Sequence, residues 1–156
     1  QIIVSDPLPE RREVAKALGA THLLDPNEED VVARTLELTE VGVDYAFETA
    51  GLGKLIGSCL ATTREGGTTV CVGAPPLADG ISIAPAAAFV LSGKRVLGCI
   101  LGSSNSLREI PRLVALWQAG RLDLEALITA RRPLSDINLA LDDLRAGRGI
   151  RTVLSI

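Results

Sequence analysis

The sequence predicts an α/β fold of the doubly wound kind, built on a parallel sheet. Three observations carry that expectation. Strand-like runs recur at residues 2–4, 43–48 and 68–72, the first of them three consecutive apolar β-branched residues. Between them lie stretches with the i, i+3, i+4 spacing of one buried helix face. Strand and helix alternate from residue 1 to residue 72 with short connections, so successive strands should run parallel with right-handed crossovers and helices on both faces.

Each element follows from its residues. Gln1 to Asp6 opens as a buried strand ending on an acid, followed by Pro7-Leu8-Pro9 and a helix over residues 10–18. Val14, Ala17 and Leu18 should form its inner face and Gly19 its stop. A short strand is expected at 21–24. Asp25-Pro26-Asn27 should then start a helix, with Glu28, Glu29 and Asp30 in its first turn and Val32 and Leu36 buried. Residues 43–48 form the next strand. A turn spanning 51–57 leads into a helix with Ile56, Cys59 and Leu60 inward, and Gly66-Gly67 turns the chain into a strand at 68–72.

The pattern changes after Gly73-Ala74-Pro75-Pro76. A short strand is expected at 81–83, an Ala-rich helix at 85–91, a strand at 95–101 and a linker at 102–105. Ser106 and Glu109 make a capping-box pattern ahead of Ile110, Leu113, Val114 and Trp117. Pro111 would delete a hydrogen bond early in that helix, which favours a start a residue or two later. The last helix is expected at 135–146, with Ile137, Leu141 and Leu144 in register and Gly147 as its stop. A strand at 151–156 closes the chain.

Composition bounds the function. The chain has 156 residues, 47% hydrophobic and 22% charged, with a net charge of −3. That balance suits a soluble globular protein with one ordinary core and argues against general nucleic-acid binding. The longest apolar run, 81–91, is broken by Pro85 and too short to span a bilayer. Three scattered cysteines suit reduced thiols in a cytoplasmic core and not a disulfide framework. Methionine is absent and Gln1 begins inside an apparent strand, so we expect a piece of a longer chain.

Asp6 is the leading candidate for binding. At the carboxyl end of a second strand, its oxygens can accept hydrogen bonds from both hydroxyls of an adenosine ribose, and it would repel a 2'-phosphate, favouring NAD over NADP. The competing reading is a local cap on the helix at Pro9. Gly51, Gly53 and Gly57 mimic a phosphate loop, but the spacing is GxGxxxG and the next strand ends Val72-Gly73-Ala74 without the acid such a loop needs. A tight turn at the carboxyl edge of the sheet is preferred there. One histidine and three cysteines offer no metal set. His22 reads as packed or surface, Cys71 as core, and Arg64, Arg131, Arg132 and Arg148 as solvated charges. Arg151, beside Gly149, could reach an anion.

These blocks together resemble the coenzyme domain of zinc-dependent, medium-chain alcohol dehydrogenases. Residues 2–6, 17–21 and 43–51 carry the likeness, followed by Gly66-Gly67, residues 72–76, 91–94 and 98–102. It continues through Gly120-Arg121-Leu122, Pro133-Leu134 and residues 149–153. The resemblance implies a Rossmann-like sheet lacking its first strand and glycine loop over residues 1–101, with 102–156 returning to the catalytic domain. It implies that Asp6 holds the adenosine ribose, flanked by Arg11. Thr49 and Ala50 would meet the coenzyme, and Val72, Gly73 and Ala74 would line the nicotinamide with Ile100 or Leu101. Arg151 would reach the pyrophosphate.

The resemblance further implies an alcohol or aldehyde substrate, NAD, and a zinc whose ligands precede the region resembling Gln1. A homo-oligomer paired through the strand at 94–101 is also implied. On this reading no residue of the chain is catalytic and the isolated polypeptide is silent. The alternatives are a zinc-free quinone or enoyl reductase of the same superfamily, or a non-catalytic domain that acts by association.

Overall fold

The computed structural model describes residues 1–83 and 85–156. The chain divides into two units, residues 29–104 and residues 1–28 with 105–156. Every strand pair in both units is parallel, as the alternation of elements predicts.

The unit of residues 29–104 begins with α1, taken here as Val31–Thr39. Its cap is Asp30, whose carboxylate accepts the N–H groups of Val32 and Ala33 at 2.9 and 3.1 Å. The expected start at Asp25 is therefore five residues too early. Asp25 instead accepts from the Asn27 N–H in a local turn and pairs with Arg12. Thr35 is the buried residue of α1, and Leu36, expected inside, is exposed.

Three strands follow in the order β1 (Val43–Glu48), β2 (Thr63–Cys71), β3 (Arg95–Gly98). Helix α2 (Gly53–Thr62) links the first two and α3 (Ala86–Ser92) precedes the third. The turn expected over 51–57 is shorter, because Gly53 already opens α2 and Gly57 lies inside it. Gly66-Gly67 is not a turn before the strand but part of β2. Val43 pairs with Thr63 and Tyr45 with Thr68, so residues 64–67 bulge out of register.

Ile56 of α2 is 2% exposed and anchors one face of this sheet. The core beside it is polar: Thr63 and Thr69 are fully buried and share a hydroxyl hydrogen bond of 2.9 Å. Tyr45 and Phe47 stack on the opposite face and are exposed, as is Leu97. Residues 81–83 form no strand, and the strand expected to reach Leu101 stops at Gly98. Leu101–Ser103 is a 3-10 turn in which all three residues have positive φ.

The other unit holds β4 (Ile3–Ser5), α4 (Pro9–Ala17) and β5 (His22–Leu24), where β4 and β5 pair and Leu24 is buried. In α4 the inner stripe is Arg11, Arg12, Val14 and Ala15, while Ala17 and Leu18 are exposed. The arginines take that face because their guanidinium groups find fixed oxygen acceptors there, described below. Helix α5 (Ser106–Gln118) is capped by Asn105, which accepts from the Leu107 N–H at 3.0 Å. It keeps Pro111 in its interior, and Glu109 pairs with Arg108 and Arg112 in place of a capping box. Its apolar residues Ile110, Leu113, Val114 and Trp117 are exposed.

One strand was not expected. β6 (Ile128–Pro133) pairs with the closing strand β7 (Arg151–Ser155). Its Ala, two Arg and terminal Pro hide the strand pattern. The last helix, α6 (Ile137–Arg145), follows a 3-10 turn. Ile137, Leu141 and Leu144 are exposed, and the inner stripe is Asp136, Ala140 and Asp143.

Candidate functional site

The candidate residues fall into two groups, one in each unit. Asp6 follows β4 at its carboxyl end. Its Oδ1 accepts the Leu8 N–H at 2.8 Å, so the local capping role is real. Among the described residues its Oδ2 makes only a long ion pair, 3.9 Å from Arg11 Nη1. One carboxylate oxygen therefore shapes the turn into α4, and the other can take a ligand.

The cations around Asp6 are committed. Arg11 donates from Nη2 to the carbonyl oxygens of Gly147 and Gly149 at 3.1 and 2.9 Å, and from Nε to Gly149 at 3.2 Å. Arg12 donates to the Asp6 carbonyl at 2.6 Å and pairs with Asp25 at 2.8 Å. Arg151 opens β7 with an exposed side chain. Its backbone is held by Thr129, whose Oγ1 accepts the N–H groups of Ile150 and Arg151 at 2.9 and 3.3 Å. No ion pair engages the Arg151 guanidinium among the described residues.

Of the arginines read as solvated, Arg64, Arg131 and Arg148 are exposed as well as paired, and Arg132 is the more covered one. Arg132 and Arg148 both bond Asp143, at 2.6 and 2.8 Å, and the Arg148 hydrogen bond chiefly holds the Asp143 carboxyl below its usual range. Arg131 pairs with Glu125 and Arg64 with Asp44, each at 2.6 Å.

The second group lines the carboxyl edge of the sheet β1-β2-β3. Thr49 and Ala50 follow β1, while Val72, Gly73 and Ala74 follow β2. The N–H groups of Val72 and Gly73 donate to the Glu48 carbonyl at 2.8 and 3.0 Å. Gly73 must be glycine, because a Cβ there would run into the Gly51 backbone N, and one on Gly51 would lie 2.9 Å from the Ala74 oxygen. The loops after β1 and β2 thus touch backbone to backbone. The Cys99 N–H donates to the Cys71 carbonyl at 2.9 Å, which sets Ile100 and Leu101, both exposed, beyond the end of β3 on that edge.

Two carboxylates that the sequence reading passed over hold this edge. Glu48, 2% exposed, accepts through Oε1 the N–H groups of Ala50, Gly51 and Leu52 at 2.9, 2.8 and 3.3 Å. Asp79 accepts the Gly53 N–H at 2.7 Å. The amides of Ala50, Gly51, Leu52 and Gly53, leading into α2, are therefore taken by the chain's own carboxylates and not left for a phosphate. This is the physical reason the GxGxxxG stretch is a turn. An acid closing an apolar strand three residues before Gly51 is the signal that could have found Glu48; nothing local marks Asp79.

Burial, then the nearby Glu48 charge, pushes the Cys59 thiol up to about 11 and the Cys71 thiol upward. Both shifts disfavour the reactive thiolate. Among the described residues no three His, Cys, Asp or Glu side chains converge to hold a metal ion, so these residues do not fit a zinc. No helix among them is long and apolar enough to cross a membrane.

Comparisons with known proteins bear on the family and the fold. The family model described as zinc-binding dehydrogenase matches residues 1–116. Benzyl alcohol dehydrogenase from Acinetobacter calcoaceticus superposes with a TM-score of 0.93 at 32% identity, over 99% of this chain and 42% of its own. A zinc-binding-domain alcohol dehydrogenase protein from Burkholderia ambifaria gives 0.93 at 34%, over 100% and 42%. A candidate zinc-binding dehydrogenase from Sinorhizobium meliloti 1021, bound to NADP, gives 0.82 at 26%, over 99% and 44%. The chain thus spans well under half the length of these structures. With three quarters of its length under one family model and its parallel α/β fold shared throughout, the chain belongs to the zinc-binding dehydrogenase family.

Proposed function

We propose that this chain is the coenzyme-binding part of an NAD-dependent alcohol dehydrogenase, a protein that moves hydride between an alcohol and the nicotinamide ring. The observation that carries the coenzyme choice is the state of Asp6. Its Oδ2 is left to accept from ribose hydroxyls, while Arg11 and Arg12 are spent on Gly147, Gly149, Asp25 and the Asp6 carbonyl. A 2'-phosphate would meet the Asp6 carboxylate, whose repulsion the Arg11 guanidinium, 3.9 Å from Oδ2 and held by the Gly147 and Gly149 carbonyls, offsets only in part. The Sinorhizobium structure is bound to NADP, so a preference for NAD in this chain would rest on the residue at this position.

NAD supplies the hydride acceptor, and the chain's own residues bind and orient it. Asp6 takes the adenosine ribose and Arg151, whose guanidinium has no ion pair among the described residues, takes the pyrophosphate. Thr49, Ala50, Val72, Gly73 and Ala74 present the carboxyl edge of the sheet to the nicotinamide half, with Ile100 and Leu101 beside them. The left-handed turn at Leu101–Ser103 fits a segment held for a ligand. On this reading any zinc ligands lie outside this chain. Strand β3 is an edge strand, which supports pairing with a second copy through residues 94–101.

The test is steady-state kinetics of a longer polypeptide that includes this chain, with a panel of primary alcohols and both dinucleotides. Alcohol oxidation with a clear preference for NAD supports the proposal. Equal use of NADP removes Asp6 as the discriminator, and turnover of quinones or enones without alcohol oxidation moves the protein to a zinc-free reductase.

A further inference from the structure

We propose that Glu48 is a positioning residue of the nicotinamide edge, fastening the loop after β1 through its carboxylate and the loop after β2 through its backbone carbonyl. This rests on the coenzyme reading of residues 49–50 and 72–74. Glu48 accepts five backbone N–H groups. Its carbonyl takes those of Val72 and Gly73 at 2.8 and 3.0 Å, and its Oε1 takes those of Ala50, Gly51 and Leu52 at 2.9, 2.8 and 3.3 Å. Three of those amides belong to Ala50, Val72 and Gly73.

The geometry makes the two loops one body. Glu48 ends β1 and is 2% exposed, so water cannot replace it as the acceptor for Gly51. Its Oε2 is buried without a hydrogen-bond partner and lies against Gly73, 2.9 Å from where a Cβ would stand. The carboxylate is therefore wedged between the loop after β1 and the loop after β2. Shifting or shortening it releases Ala50 to Leu52 and opens the Gly51–Gly73 approach in the same movement. Two loops from different strands keep a fixed spacing only while both are fastened to a common point. A ligand lying across their ends is sensitive to that spacing, since a displacement of about 1 Å costs on the order of a hundredfold in rate.

Two measurements test this separately. In the 156-residue chain, Glu48→Ala should speed amide exchange at Ala50, Gly51 and Leu52 by about a hundredfold, with β4 and α4 unchanged. Glu48→Gln, which keeps a carbonyl acceptor, should stay within about threefold of the parent. Should Glu48→Ala not fold, Glu48→Asp, which withdraws the carboxylate by one methylene, takes its place. In the longer enzyme the same variants should raise KM for the dinucleotide about tenfold for Ala or Asp, with KM for the alcohol nearly unchanged and Gln restoring the parent value.

Unchanged exchange at residues 50–52 overturns the clamp. Faster exchange with unchanged dinucleotide KM makes Glu48 structural only and overturns its positioning role. Failure of the unsubstituted enzyme to bind either dinucleotide overturns the coenzyme reading itself, and is visible before any variant is made.

Discussion

Arg11 binds the carbonyl oxygen of Gly149 twice, through Nη2 at 2.9 Å and Nε at 3.2 Å, across 138 positions of sequence. A planar guanidinium can bridge two carbonyls, since Gly147 accepts from the same Nη2, and so fastens α4 to the turn before β7. Arg11→Ala should destabilise the chain by about 1–2 kcal/mol, the low end for charged hydrogen bonds at a partly exposed site. Arg11→Lys should recover only part, because a point donor cannot span both acceptors. Urea unfolding midpoints check this; equal midpoints for all three would mean the bridge contributes nothing.

Asp6→Ser separates the two jobs of that carboxylate. Serine keeps an acceptor for the Leu8 N–H but removes the charge facing the ribose. In the longer enzyme, kcat/KM with NAD should fall about tenfold and that with NADP should rise. An unchanged ratio of the two would take Asp6 out of the coenzyme site.

Gly73→Ala tests the contact between the loops after β1 and β2. A Cβ at 73 meets the backbone N and Cα of Gly51, which no side-chain rotation can relieve. Destabilisation of at least about 2 kcal/mol is expected, at the upper part of the overpacking range. The same change at Gly80, where a Cβ meets nothing within 4 Å, should cost little. Similar losses at both positions would contradict the close approach.

Cys59 should resist alkylation near neutral pH and react as pH approaches its raised value of about 11. The linkage has a definite sign. Between the ordinary value of 9.0 and about 11 the unfolded thiol has lost its proton while the folded one keeps it. Stability is therefore full below that window and falls as pH rises through it. Cys59→Ser should flatten the decline in urea midpoints across the window, and an identical slope in both proteins would rule out this thiol as its source.

Much of the architecture was readable because it depends on local pattern. The run Val43 to Phe47 and the acid at Glu48 gave strand β1 within a residue, and Pro9 gave the start of α4. Helix faces were read unevenly: Ile56 of α2 is buried and Cys59 and Leu60 half-buried as expected, but later helices differ. Ile110, Leu113, Leu141 and Leu144 have helical spacing, yet all four are exposed. Asp143 instead faces inward on α6, because Arg132 on a strand that local propensity did not reveal supplies its partner.

The site divides along the same line. That Asp6 stands at a strand end, and that no metal set exists among one histidine and three cysteines, were properties of the chain's order and composition. Neither needs a partner distant in sequence. Which cations are free beside Asp6 depends on Gly147 and Gly149, and whether the start of α2 is open to an anion depends on Asp79, 26 positions beyond Gly53. A hydrogen bond satisfies a donor only where folding brings its acceptor within about 3 Å, so those answers are absent from any local window of sequence.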